Sequence, residues 1–395
     1  MDLKTASPFA PGKIAGLTLR NRIIRSGCFE GMCQDGLIAD VLIEHHRRVA
    51  EGGVGMTTVA YCSVSYDGRA FGHEMWMRPE LVPDLQRLAD AVHKEGAAVS
   101  IQIGHCGFFS NPKEIGRRPL GASPKFCLFR LSFCEAMTEA QINDKIEDFG
   151  QTAELVKQAG FDAVEIHAGH GYLLSQFLSP WTNHRKDRYG GSLENRLRFP
   201  LAVIRRVRQA VGEDFPILIK MNASDGIKGG LEMKESIEVA RQLESVGASA
   251  LVVSCGFTAK TPLYMMRGKV PTREMAANQT DWLLRIGMSL FGWFMVQRYR
   301  FDRLFLLKEA EQIRKAVTLP VIYIGGVLRL EDMHFVMQRG FEFFEVGRAT
   351  VRDPDFVKNL QSGKYAASDC DQCNRCIATM DAGGVYCVSA KQEGL

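Results

Sequence analysis

The sequence has no long hydrophobic run. Its most apolar stretch, Ser289–Val296, falls well short of the about 20 residues that a bilayer-spanning helix needs. It has no basic block either: 49 Lys and Arg against 45 Asp and Glu leave a formal charge of only +4, too little for an electrostatic footprint on nucleic acid. Met1–Lys13 is polar and punctuated by Pro8 and Pro11, without the apolar core of a secretory signal. These absences predict a cytoplasmic protein with no transmembrane segment and no nucleic-acid partner. In that setting the 11 cysteines read as free, catalytic or metal-binding thiols and not as a disulfide framework. A G-x-G-x-x-G fingerprint is missing too, which argues against an open doubly wound dinucleotide-binding sheet.

What the sequence does have is a repeat. Short β-branched runs alternate with amphipathic stretches of helical period. The predicted strands are Arg22–Ser26, Val54–Ala60, Ala97–Ile103, Phe161–His167, Pro216–Asn222, Ala248–Ser254, Pro320–Gly325 and Glu342–Val346. Runs such as Ile217-Leu218-Ile219 suit strands buried on both faces, as a parallel sheet covered by helices requires. Helical stripes are clear at Asp84–Glu95 and Lys234–Val246, and Thr138 with Gln141 spells a capping box. Gly96, Gly160, Gly247 and Gly340 each end a helical stretch just before a strand. The pattern predicts an α/β chain folded as a (β/α)8 TIM barrel over residues 1–364, with a short cysteine-containing tail over 365–395. Three long connections, Gly104–Met137, Ala168–Asn195 and Gly256–Arg303, follow strand C-termini and read as substrate-side loops.

In such a barrel the function is written at the strand ends. Strand one ends in Ser26-Gly27-Cys28, strand two in Ala60-Tyr61-Cys62, strand three in Gln102 to His105 and strand four in His167 to Tyr172. Strand five supplies Lys220, which in a crowded centre needs an anionic or polar partner such as a cofactor. Gly325 and Gly326 after strand seven, with Gly347 and Arg348 after strand eight, place close backbone and a guanidinium where barrels hold phosphate. His167 and His170 also have a spacing that metal ligands use, but only His105 offers a further ligand at another strand end, so no catalytic metal is expected.

The run Gly169–Arg196, which includes His170-Gly171-Tyr172 and Tyr189-Gly190-Gly191-Ser192, resembles the Old Yellow Enzyme family of FMN-dependent NADH:flavin oxidoreductases, as do Leu19–Ile23 and Gln102 with His105. The likeness extends from about Phe9 to Phe356. It implies FMN across the barrel mouth, with the phosphate at Gly325, Gly326, Gly347 and Arg348. The flavin edge would then meet Ser26, Gly27, Cys28, Ala60, Tyr61 and Gln102, and Lys220 would stand beside its N1–C2 edge, where the family more often has Arg. The resemblance also implies that NADH or NADPH gives hydride to FMN and that an activated, carbonyl-conjugated alkene then takes it. His167 and His170 would hold the carbonyl and Tyr172 would supply the proton. A homo-oligomer is expected.

Two segments stand apart. Cys370, Cys373, Cys376 and Cys387 could bind an iron–sulfur cluster or zinc, and they resemble the segment after the barrel in the dienoyl-CoA-reductase branch, which spaces its second and third cysteines one residue wider. They keep open an alternative reading as a flavin and iron–sulfur electron-transfer protein, or as a dienoyl-CoA-reductase-like or demethylase-like relative. Trp282–Leu307 reads as an amphipathic helix or helix pair, with Leu290, Phe291, Phe294 and Phe301 apolar among Arg298, Arg300 and Arg303. It is expected to pack on the barrel's outer ring, with a lid, dimer or membrane-surface contact as alternatives.

Overall fold

Eight apolar runs become eight parallel strands because each can bury both faces, one in the barrel lumen and one beneath the helices. In the computed structural model, which describes residues 7–278 and 282–392, these are β1 Ile23–Arg25, β2 Met56–Ser63, β3 Ala98–Gly104, β4 Ala163–Ala168, β5 Ile217–Asn222, β6 Ala250–Ser254, β7 Val321–Ile324 and β8 Phe343–Val346. Each pairs with the next, and β8 pairs in parallel with β1 through Glu345 and Ile24, so the sheet closes. The chain is a (β/α)8 barrel.

The helices of the outer ring are α1 Asp40–Glu51, α2 Val82–Lys94, α3 Glu139–Gln158, α4 Leu193–Val211, α5 Met233–Ser245, α6 Leu307–Arg314, α7 Leu330–Gln338 and α8 Phe356–Gln361. Their ends follow the local signals. The Thr138 hydroxyl accepts from the Gln141 amide at 3.2 Å, and the Gln141 side chain accepts from the Thr138 amide at 2.9 Å. Gly96, Gly160, Gly247 and Gly340 all have left-handed φ, between 75° and 101°, a conformation that costs a residue with a Cβ about 1 kcal/mol or more.

The lumen is filled in layers. Its lower layer is apolar, with Ile24, Met56, Leu218, Val252, Ile322 and Phe343 in one cluster, and a hairpin of Gly12–Ile14 and Leu17–Leu19 adds Ile14 and Leu19 to it. The hairpin thus plugs the end opposite the site. On the other side, the connection after β3 builds a small sheet from Leu120–Gly121, Lys125–Cys127 and Ser132–Ala136. The insertion after β6 forms a helix over Trp282–Met295 packed against Thr272–Ala277, and its outer face exposes Trp282, Leu283, Ile286, Leu290 and Phe291. It is one helix and not a pair: Phe301 lies beyond it, and the Phe294 side chain falls outside the described residues.

The cysteine tail folds back on the barrel. Val385 donates to the Glu30 carbonyl at 2.8 Å, and Arg352 pairs with Asp369 at 2.6 Å. Glu30 is itself an anchor: its buried carboxylate pairs with Arg25 and accepts from the Ala60 amide at 2.9 Å, while Arg25 also reaches the Thr58 carbonyl at 2.6 Å. Removing one partner of a buried pair costs about 3–5 kcal/mol, because the other charge is left unmet. Glu30→Ala should therefore lower the urea unfolding free energy by about that amount; a loss below about 1 kcal/mol would show that the pair does not hold β1 to β2.

Candidate active site

The floor of the site is a buried charge cluster that three strands aim at one point. Glu165 of β4, Lys220 of β5 and Glu345 of β8 are each 0–1% exposed. The Lys220 ammonium stands 2.9 Å from each carboxylate and 3.4 Å from the Ser26 hydroxyl, which donates to Glu345 at 2.6 Å. Gln102 donates to Glu165 at 2.5 Å, and a Cβ on Gly27 would stand 3.1 Å from that same Gln102 amide nitrogen. Burial opposes the ammonium, but Glu165 and Glu345 more than offset this and raise its pKa. Burial and the nearby Glu345 push the Glu165 carboxyl well up, while Glu345, held by Lys220, lies below the usual value despite its burial. At neutral pH the cluster carries one proton between two carboxyls beside one ammonium, and is neutral overall. Lys220 thus finds its anionic partners within the protein.

The residues above the floor come from the end of β4. His167 Nε2 lies 3.1 Å from His170 Nδ1, and His170 Nε2 lies 2.7 Å from the Ser254 hydroxyl. Because the Gly169 amide approaches His167 Nδ1 at 3.4 Å, His167 Nε2 carries its proton and donates to His170, which in turn donates to Ser254. His170 sits at φ 55°, its amide held by the Asn222 side chain at 3.0 Å. Burial, reinforced by Lys220, lowers His170 to about 3, and burial with His170 alongside takes His167 well below its usual value. Both rings are neutral N–H donors across the physiological range.

Tyr172 completes the group, with its ring 4.7 Å from His167 and 5.6 Å from Tyr61. Burial raises its phenol, and Cys106 adds to the effect. The Tyr61 hydroxyl meets the Cys106 thiol at 2.7 Å and the buried Glu74 carboxyl at 3.4 Å. Around these packs an aromatic box that includes Phe108, Phe109 and Phe257, with Phe29, Phe71 and Trp181 at its edge.

The other end of the mouth is built by the β7 and β8 termini. Gly325 and Gly326 have φ of 126° and 80°, conformations that favour glycine. A Cβ at Gly347 would stand 3.1 Å from the Cys28 sulfur. Arg348 follows, its Nη1 donating to the Arg267 carbonyl at 2.8 Å and to the Asn374 side chain at 2.6 Å. Glycine backbone and a guanidinium at one end, with Ser26, Gln102 and Lys220 at the other, form a donor set that fits FMN: an anionic phosphate and a flavin edge rich in acceptors.

Arg348 also lines a cleft of about 260 Å³ with Cys370, Cys373, Cys376 and Cys387. Burial raises the Cys376 thiol to about 12, and Cys370 pushes in the same direction. Among the described residues no three His, Cys, Asp or Glu side chains converge as ligands of a single metal ion. Zinc needs sulfurs about 2.3 Å from one centre, which this spread of thiols does not provide.

The structure therefore brings together Ser26, Gly27, Gln102 and Lys220, then His167, His170 and Tyr172, then Gly347, Arg348 and Cys28, with Ala60 tied to Glu30 beside them. Sequence reasoning missed Glu165, Glu345 and Glu74. The available signal was an acidic residue inside an apolar strand, as in Ala163-Val164-Glu165-Ile166 and Phe343-Phe344-Glu345-Val346. Burial lifts the Glu74 carboxyl to about 8 against the bonds from the Ala70 and Phe71 amides. Since the folded state then holds this proton more tightly than the unfolded state, Glu74 makes stability fall as pH rises from about 4.5 to 8. Glu74→Gln, which mimics the neutral carboxyl, should match the wild type in urea at pH 5 and exceed it by on the order of 3 kcal/mol at pH 8.5; an equal difference at both pH values would place the ionisation elsewhere.

Residues 7–280 match the model of the NADH:flavin oxidoreductase / NADH oxidase family. The chain is 39% identical over 96% of its length, and 94% of the relative's, to a 4,4'-dithiodibutanoate disulfide reductase of Rhodococcus erythropolis. It is 32% identical over 93% of its length to an NADH oxidase of Thermoanaerobacter brockii, of which it spans 52%. Among solved structures, a 2-naphthoyl-CoA reductase superposes with a TM-score of 0.83 over 97% of this chain and 56% of its own, at 24% identity. An old yellow enzyme homologue from Zymomonas mobilis gives 0.75 over 93% and 96%, at 21% identity. At those identities the structures speak for the fold, while the family match and the sequence relatives carry the rest. The chain belongs to the NADH:flavin oxidoreductase / NADH oxidase family, the Old Yellow Enzyme group of FMN-dependent NAD(P)H oxidoreductases.

Proposed function

We propose that the protein reduces an electron-poor substrate, an activated alkene conjugated to a carbonyl, using NADH or NADPH. The observation that carries this reading is the cluster of two neutral imidazoles and one buried phenol directly above a neutral charged floor. FMN would be held by Gly325, Gly326, Gly347 and Arg348 at its phosphate and by Ser26, Gly27, Cys28, Ala60, Gln102 and Lys220 along the ring. When bound, it supplies hydride transfer in both half-reactions. The protein's own part is electrostatic. His167 and His170 turn their N–H groups from each other and from Ser254 to the substrate carbonyl oxygen, where negative charge develops. Tyr172 gives its proton to Cα, and the Tyr61, Cys106 and Glu74 chain behind it stands ready to return one. A disulfide, the substrate named for the Rhodococcus relative, makes the same demand for two electrons and a proton on the departing sulfur.

Tyr172→Phe should leave reduction by NADH or NADPH intact and slow reoxidation by 2-cyclohexenone about 100-fold or more, as read by stopped-flow absorbance. Equal loss in both half-reactions would refute the proton-donor role.

The cysteine cleft favours a second element of the reading, an iron–sulfur cluster on Cys370, Cys373, Cys376 and Cys387 that passes single electrons to or from a partner. Anaerobically purified protein should then carry about four irons per chain with matching sulfide. Less than about a tenth of an equivalent would leave the cleft a packed thiol cluster.

A further inference from the structure

The substrate-side insertion after β3 lays two cations over aromatic rings, and among the described residues no carboxylate meets either. Arg130 lies over the Phe109 ring, 4.5 Å from its centroid, and over Phe71 at 5.0 Å. Its Nε donates to the Phe109 carbonyl at 3.0 Å, while its Nη2 is buried with no hydrogen-bond partner. Lys125 stands 3.6 Å from the centre of the Trp181 ring and donates only to that residue's carbonyl, at 2.9 Å. Among the described residues neither cation is paired with a carboxylate.

Both cations belong to the aromatic box of the active site. Phe109 is 6.2 Å from the Tyr172 ring. Phe71 leads back through Phe29, 4.7 Å away, and Tyr61, a further 5.4 Å, to Tyr172. Trp181 packs at 5.2 Å on Phe257, whose ring closes over Gly171. A guanidinium nitrogen buried without a partner costs about 1–3 kcal/mol or more, and aromatic faces attract a cation without neutralising it. An incoming oxyanion would relieve both deficits.

Building on the reading given under Proposed function, we propose that the oxidising substrate carries a carboxylate, received by Arg130 with Lys125 as the second cation at the rim of the aromatic box. The fork of guanidinium donors suits a planar carboxylate. The neutral imidazoles and floor leave the reacting end of the substrate uncharged, so the charge that selects it is read at a distance from the chemistry.

The test is calorimetric binding to the FMN-loaded full chain without nicotinamide, using 4,4'-dithiodibutanoate and its uncharged diamide. The wild type should bind the dianion at least about 30-fold more tightly than the diamide, as expected for a desolvated charge-assisted pair worth about 2 kcal/mol. Arg130→Gln should erase most of that preference, and Lys125→Gln part of it, with diamide affinity serving as the folding control. Equal wild-type binding of both probes, binding of neither, or a preference that survives both substitutions overturns the proposal. So does a comparable rise in the NADH concentration needed for half-maximal reduction in Arg130→Gln, which would assign the cation to the nucleotide phosphates. Reoxidation of the wild type by 2-cyclohexenone tests the reductase reading separately, because the binding comparison requires no turnover.

Discussion

A lysine ammonium buried in the barrel lumen between two carboxylates fixes the geometry of everything above it. Isolated, that charge would cost several kcal/mol or more to bury, and so would either carboxylate. Together with the shared proton and the Ser26 and Gln102 bonds, they form a cluster that is satisfied in one arrangement. Because strand side chains repeat every two residues, pinning Glu165, Lys220 and Glu345 also places the next inward positions: His167, Asn222 and Gly347. Those are the imidazole above the floor, the amide that holds His170 in its left-handed turn, and the glycine that precedes Arg348. The active-site layer thus inherits its register from the ionic layer beneath.

The same argument explains what could and could not be read from the sequence. All eight strands were legible because the parallel barrel buries both faces, so each strand is a continuous apolar run that helical periodicity does not imitate. The capping signals were legible because they are local: Thr138 and Gln141 are three residues apart, and glycine ends helices for steric reasons independent of tertiary structure. The strand-end residues followed once the barrel was assumed. The floor was not legible as a cluster, since Glu165, Lys220 and Glu345 are brought together only by closure of the sheet. Lys220 was correctly seen to need an anion, and the anion proved to be two side chains of the protein. The Tyr61, Cys106 and Glu74 chain escaped notice for a related reason. Glu74 lies in an irregular loop where no periodicity distinguishes a buried acid from a solvated one.

Electrostatically the mouth has a neutral centre between two positive ends. Burial keeps His167 and His170 uncharged, and the floor balances its own charges. Arg348 stands at one end, and Arg130 and Lys125 stand in the substrate-side insertion. Such a layout draws anions to the ends while leaving the middle with no net charge. Preorganised N–H dipoles can then act on the charge that forms on a substrate oxygen, above a floor whose own charges balance.

The tail is part of this layout. Asn374 accepts from Arg348 while its own amide nitrogen donates to the Met266 and Lys269 carbonyls at 2.7 and 3.0 Å. One side chain therefore joins the insertion after β6, the Arg348 guanidinium and the cysteine segment. Cys28 lies on the barrel side of the same junction, its sulfur 3.1 Å from where a Cβ on Gly347 would stand. Asn374 also lines the cysteine cleft, so the side chain that orients Arg348 stands among the thiols. The segment outside the barrel repeat thereby helps to place Arg348 at the barrel mouth.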